Sequence, residues 1–317
     1  MANIELQKNI LATIAYYDGM DYPMASFEAH KYLMKFSNSQ HPVSDENIKY
    51  SLLEVMNELE NDNLRRFIEE CDGFYFLKGK KELVEQRLKK NKIANKKIRI
   101  LTGLAKWLRY APFVRMISMT GSLAMKNTDA KSDLDLLIIL KKGKIFTGRA
   151  LVTLAAHLLG KRRYADKIKD RACLNHFLTD DSLEISIREA FLASEYSLRI
   201  WPVFGWHYFQ EFQEKNGWIK KYELNFRPDE IPNLKFIKET AFSWRARKLG
   251  EMLLNFDFIE NILKKRQLGR IEKNPKTQET GRGIIANDNE LLFWPNFEKQ
   301  GPLNFEKFKE KLGKIGH

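Results

Sequence analysis

The sequence predicts a mixed α+β fold built in three parts, and three observations carry that expectation. Residues 1–90 show helical spacing that gives way to a hairpin pattern, residues 100–178 alternate strand-length apolar runs with helices, and long aromatic-rich stretches of helical composition follow residue 190. With 317 residues, 44% of them hydrophobic, the chain buries a substantial core and exceeds the usual size of one domain. No internal repeat is visible.

Ile4, Ile10, Leu11 and Ile14 sit at helical spacing before Asp21-Tyr22-Pro23 breaks the chain. Further helices are expected over Ser26–Met34 and Asp45–Leu59, the second with Ser44 or Asp45 as N-cap. A hairpin comes next, Leu64–Ile68 and Phe74–Leu77, turning at Asp72-Gly73. Three helices and a hairpin form the winged-helix pattern. Its third helix carries Glu46, Glu54, Glu58 and Glu60 against Lys49 alone, a charge that repels phosphates and favours protein docking or an architectural role over DNA reading.

Residues 81–99 read as a charged connecting helix, and another helix is expected up to about Tyr110. Next come a strand over Phe113–Thr120, a short helical turn after Gly121, and a strand over Leu134–Leu140. A helix over Phe146–Gly160, with Leu151, Leu154, Ala155, Leu158 and Leu159 as its expected buried face, precedes a strand over Ala172–Leu178. Beyond residue 190, three helices are expected over residues 189–201, 206–222 and 239–263, their aromatics forming core. The polar stretch 264–283 reads as a loop or irregular connection.

Charge is unevenly placed. Residues 91–170 hold 18 lysines and arginines against five acidic residues, which equals the whole-chain net charge of +13. A field of that sign favours polyanionic ligands such as nucleoside triphosphates or nucleic acid. Cys71 and Cys173 are too few for a disulfide framework and too far apart in sequence to suggest a metal site, which fits a reducing cytoplasm. The N-terminal stretch lacks the features of a secretory leader, no run has the length of a membrane span, and no membrane partner is expected.

The chemistry-bearing stretch is MTGSLAMKNTDAKSDLDLLIIL, residues 119–140. Side chains at i and i+2 of a strand share a face, so Asp133 and Asp135 project together. Two such carboxylates repel unless a cation lies between them, and hard oxygen ligands select Mg²⁺ or Mn²⁺. Gly121 permits close backbone approach to a phosphate, and Ser122 adds a hydroxyl.

A Gly-Ser pair, a ten-residue spacer and Asp-x-Asp leading into an apolar strand resembles the signature of the nucleotidyltransferase superfamily that includes DNA polymerase beta. PFVRMISMTGSLA, FTGRALVTLAAHLLG and CLNHFLTDDSL resemble an uncharacterised bacterial branch with an N-terminal winged helix. The likeness spans most of the chain and is looser in the C-terminal third. It implies a polymerase-beta-like nucleotidyltransferase core over residues 91–190, a small mixed sheet with helices, flanked by a winged-helix-like module over 1–90 and a helical C-terminal domain over 191–317. Polymerase-like members carry a third carboxylate on a later strand. Here the aligned position is Asn175, which orients groups but cannot act as a base at neutral pH. Asp180, Asp181 and Glu184 lie just beyond that strand as substitutes. His176 alternates to the opposite face and reads as a packed core residue, and Glu195 reads as an exposed helix residue that could line the cleft.

The expected activity is metal-dependent transfer of an NMP from an NTP to an acceptor hydroxyl. Asp133, Asp135 and Asn175 form the catalytic set, Asp133 and Asp135 the metal ligands, and Gly121, Ser122 and Arg149 the nucleotide-binding set. The run Lys161-Arg162-Arg163 offers further phosphate contacts. The acceptor is a nucleic acid, a protein or a small molecule. The competing reading is a catalytically silent nucleotide- or nucleic-acid-binding regulator, favoured by Asn175. A DNA-binding repressor is a third reading, opposed by the acidic third helix.

Overall fold

The computed structural model describes residues 3–36, 49–228, 236–277 and 283–294. The chain begins with α1 (Ile4–Asp18), capped by the Asn3 side chain on Leu6 N, then β1 (Met24–Ala25), α2 (Ser26–Lys31), α3 (Leu52–Leu59), α4 (Asp62–Arg65), β2 (Ile68–Cys71) and β3 (Phe74–Leu77). The three strands form an antiparallel sheet in the order β1-β3-β2. The hairpin thus starts at Ile68 rather than Leu64, which lies instead in the single turn of α4. The expected caps Ser44 and Asp45, with residues up to 48, fall outside the described residues. The observed cap of α3 is Ser51, whose hydroxyl accepts from Glu54 N while Glu54 accepts from Ser51 N.

The first module shares its core with the rest of the chain, since Met125 and Leu198 pack among its buried residues. Tyr16 Oη bonds Ser194 Oγ at 2.8 Å, Asn225 Nδ2 donates to His30 O, and Leu33 O accepts from Leu224 N. Buried beside this junction, Glu223 accepts from Ser197 Oγ at 2.6 Å.

The two helices expected over 81–110 are one, α5 (Glu82–Leu108), whose buried residues Leu101, Leu104, Ala105 and Leu108 lie on the central core. The chain continues with β4 (Val114–Thr120), α6 (Gly121–Ala124), β5 (Leu134–Leu140), α7 (Ile145–Leu158), β6 (Ala172–Thr179), α8 (Ala190–Ser197), β7 (Ile200–Phe204), α9 (Trp206–Lys215), α10 (Ala241–Leu254), α11 (Asp257–Glu272), β8 (Gly283–Ala286) and β9 (Glu290–Trp294). The six-stranded mixed sheet has the order β7-β4-β5-β6-β9-β8, with β5 and β6 parallel and every other pair antiparallel. A mixed α+β class is therefore observed. The segment expected to be a helical domain also supplies β7, β8 and β9, so residues from both sides of position 190 build one sheet.

Three further expectations are corrected. Leu154, Leu158 and Leu159 face outward, because α7 packs through Gly148, Val152 and Ala156, and Gly148 lies so near Leu140 that a Cβ would stand 2.9 Å from its methyl carbons. The supposed loop from 264 is helical to Glu272, because Leu263 and Leu268 pack on the core and Gln267 Nε2 donates to Phe146 O. None of the aromatics of 239–263 is core: Phe242, Trp244, Phe256 and Phe258 are all exposed. α11 also returns Glu260, which accepts from Phe146 N and Thr147 N and so caps α7 from 113 residues away.

Gly205 joins β7 to α9 at φ 80°, where a Cβ would stand 2.1 Å from Arg115 O. Gly205→Ala is expected to destabilise the protein by about 3 kcal/mol or more, from the left-handed backbone and the clash together, read as a lower urea midpoint. Burial raises the Glu223 carboxyl to about 8 from its ordinary 4.5. The folded state therefore holds that proton more tightly than the unfolded chain, and the stability it brings is complete below about pH 4.5 and lost as pH rises through about 8. Glu223→Gln should flatten that slope and raise the melting temperature most at alkaline pH.

Candidate functional site

The site lies where β5 begins. LDLLIIL is buried almost throughout, so the polar side chains available to it cluster at the strand's N-terminal end. Asp133 and Asp135 stand there together, as their i, i+2 spacing demands. Parallel pairing sets Asp135 opposite Cys173 on β6, and ligand atoms of Asp133, Asp135 and Cys173 lie within 4.8 Å of one another. Asn175, two residues along β6, donates through Nδ2 to Asp135 Oδ1 at 3.1 Å. Arg163 forms an ion pair with Asp133 and comes 3.4 Å from Cys173 Sγ.

Gly121 closes the site from the end of β4. At φ 66°, a Cβ added to it would stand 3.2 Å from Asp135 Oδ2 and 3.7 Å from Glu195 Oε1. Glycine leaves room for two carboxylates here. Its own N–H donates to Arg199 O at 2.9 Å. Ser122 lines a cleft of about 310 Å³ with Met20, Lys90, Asn127, Phe191 and Arg199. The first module, α5, the α6 turn and α8 all contribute to that cleft.

Glu195 is the residue that sequence reading misplaced. It is 2% exposed, and Arg199 Nη1 lies 2.9 Å from its Oε2. Burial raises its carboxyl above the ordinary range, with Arg199 opposing. The signal was the pair itself: an acid and a base four residues apart within the apolar stretch AFLASEYSLRIW. Asp135 is pushed up to about 7, first by burial and then by the Asp133 and Glu195 charges. Burial and the same two aspartates also raise the Cys173 thiol, which keeps it protonated at neutral pH. The acidic group thus offers oxygen donors to a divalent cation, whose charge would relieve the crowding that lifts Asp135.

Other candidates lie elsewhere. Arg149 donates to Gln267 Oε1 at 2.7 Å and its guanidinium lies 4.7 Å from the Phe293 ring centre, so it braces α11 instead of reaching Gly121 and Ser122. Asp180, Asp181 and Glu184 lie past the far end of β6, where they meet Arg115 and Lys142 N, Lys142 Nζ, and Arg188 respectively. His176 is buried between Tyr196 Oη, 2.8 Å from Nδ1, and Glu290, 3.3 Å from Nε2.

No protein-family model, curated protein or solved structure matches this chain.

Lys97, buried on α5, donates to Ser132 O and to Asp170 Oδ1, each at 2.7 Å. One ammonium therefore ties the segment before Asp133 to the segment that carries Arg163. Lys97→Met should leave Asp170 without its partner and lower stability by about 3 kcal/mol, with faster amide exchange confined to residues 128–133 and 161–171.

Proposed function

We propose that the protein is a metal-dependent nucleotidyltransferase that moves an NMP from an NTP to an acceptor hydroxyl, on a polymerase-beta-like core carrying a winged-helix-like module. The observation that carries this reading is the meeting of three carboxylates, Asp133, Asp135 and Glu195, around Gly121 beside a cleft edged by Ser122, Lys90 and Arg199. Glu195 makes up for the carboxylate that Asn175 lacks, arriving from a helix instead of a strand.

In this reading Asp133 and Asp135 hold Mg²⁺ or Mn²⁺, and such an ion, when bound, neutralises charge on the triphosphate. Asn175 fixes the orientation of Asp135 through its hydrogen bond. The acceptor oxygen attacks the α-phosphorus as the bond to the β-phosphate breaks and pyrophosphate leaves; Glu195 accepts the proton of the attacking hydroxyl, and Ser122, Lys90 and Arg199 bind oxygens of the departing pyrophosphate. Arg163 leaves Asp133 for the substrate. Exposed Lys92, Lys96 and Arg99 on α5 and Arg162 and Lys167 on the 161–171 segment extend the positive field beyond the site, which suits a nucleic-acid acceptor better than an acidic protein. No helix among the described residues is long and apolar enough to cross a membrane, and the free cysteines suit a cytoplasmic setting.

A catalytically silent binder is the second reading, favoured by Asn175 and by the ion pair that already engages Asp133. Incubation with each α-labelled NTP, Mg²⁺ or Mn²⁺ and cell extract separates the two. Transfer should fall at least about a thousandfold in Asp133→Asn/Asp135→Asn and about a hundredfold in Glu195→Gln. Nucleotide binding without transfer in the unaltered protein would establish the silent reading instead.

A further inference from the structure

A second cavity, of about 490 Å³, lies at the opposite end of the sheet from the carboxylates. Arg115, near the start of β4, is in its wall, whereas Gly121 comes directly after the end of that seven-residue strand, so roughly 20 Å separates the two places. Aromatic side chains dominate its walls. Trp206 stacks on Phe236 with ring centres 4.8 Å apart and planes 29° apart, and Trp244, 49% exposed, stands at the solvent side.

Its polar groups are few and specific. The ten-residue helix α9 starts in the wall, and its N-cap is Gly205, which has no side chain to accept from the first turn. Side-chain bulk is excluded at that position by the approach to Arg115 O, which leaves the helix start open to an outside acceptor. Arg247, 5% exposed, also lines the cavity. Its Nη atoms are held by Glu239 and Arg109 O, while its Nε, shut off from solvent, has no hydrogen-bond partner among the described residues. Arg115 is already committed to Glu251 and Asp180. With Glu239 paired to Arg247, the remaining positive character, from Lys238, Lys248 and the α9 terminus, suits one anionic group rather than a polyphosphate.

We propose that this cavity binds a small flat aromatic compound carrying one phosphate or carboxylate group, of about the size of a nucleoside monophosphate. The ring lies against the aromatic wall, and the anion meets the open turn of α9 and the exposed Lys238. The site is independent of the carboxylate cluster and does not rest on nucleotidyl transfer.

Titration calorimetry on the full chain tests it, in the Asp133→Asn/Asp135→Asn background and without divalent ions, which removes metal-dependent binding at the carboxylate site; binding that Trp244→Ala and Lys238→Glu both leave unchanged is assigned to that site's phosphate-binding residues. AMP, UMP, phenyl phosphate and benzoate are the probes, and adenosine and inorganic phosphate the controls. At least one two-part probe should saturate a single site, with either half alone at least about tenfold weaker. Trp244→Ala and Lys238→Glu change exposed side chains and should keep the fold, which circular dichroism checks, while weakening that probe at least about tenfold. Absence of heat from all four two-part probes would overturn the proposal, as would binding that both variants leave unchanged. Benzoate binding without AMP or phenyl phosphate would identify the anion as a carboxylate and the ligand as smaller than a nucleotide.

Discussion

The architecture turns on β5. Antiparallel pairing to β4 and parallel pairing to β6 bury it on both edges, and the packing of LDLLIIL buries its faces. A strand so placed admits polar groups only where it enters the sheet. Asp133 and Asp135 occupy that point, and the same two pairings deliver their neighbours: β4 ends at Gly121, while the parallel partner brings Cys173 and Asn175 alongside. Parallel strands need a crossover, here α7 and the segment after it. That return path carries Arg163 back to Asp133.

Assembling this site works against stability, and the surrounding structure supplies the restraint. Asp135 rises to about 7 because it is desolvated beside two other carboxylates. Such crowding persists only where rigid neighbours hold it. Arg199 opposes Glu195, Arg163 opposes Asp133, and Lys97 fixes both segments leading to these residues. The long α5 thus serves as a support behind the acidic cluster as well as a link between modules.

Much of this was legible in the sequence, for a definable reason. The strands of the core carry period-two or continuous apolar runs between glycine and polar breaks, so β4, β5 and β6 fell within one residue of expectation. Asp133 and Asp135 share a face by spacing alone. What escaped depended on contacts remote in sequence. Glu195 lies sixty residues beyond Asp135 on a helix whose burial only the folded sheet decides. Cys173 looked solitary because Cys71 was its only counterpart, whereas its partners are aspartates on the next strand. Arg149 resembled a phosphate ligand by charge and position, but α11 returns to cover it. The leucine row of α7 misled because Gly148, with no side chain, sets which face comes close to β5.

The position of the first module obeys the same geometry. Its Met20 forms part of the cleft that Ser122 and Arg199 line, and Met20 O accepts from Asn127 Nδ2 at 2.8 Å, within the turn that leads from Gly121 to Asp133. The module is therefore part of the cleft wall, not an appendage joined only by α5. Its third helix carries the exposed Glu54 on the outer side of the module, while the turn after α1 meets the cleft through Met20. In the proposed reading, an acidic face beside a basic core would direct a polyanion toward α5 and the 161–171 segment and away from the module. On that reading, docking through the module and binding of a polyanion along the core would use separate surfaces of one molecule.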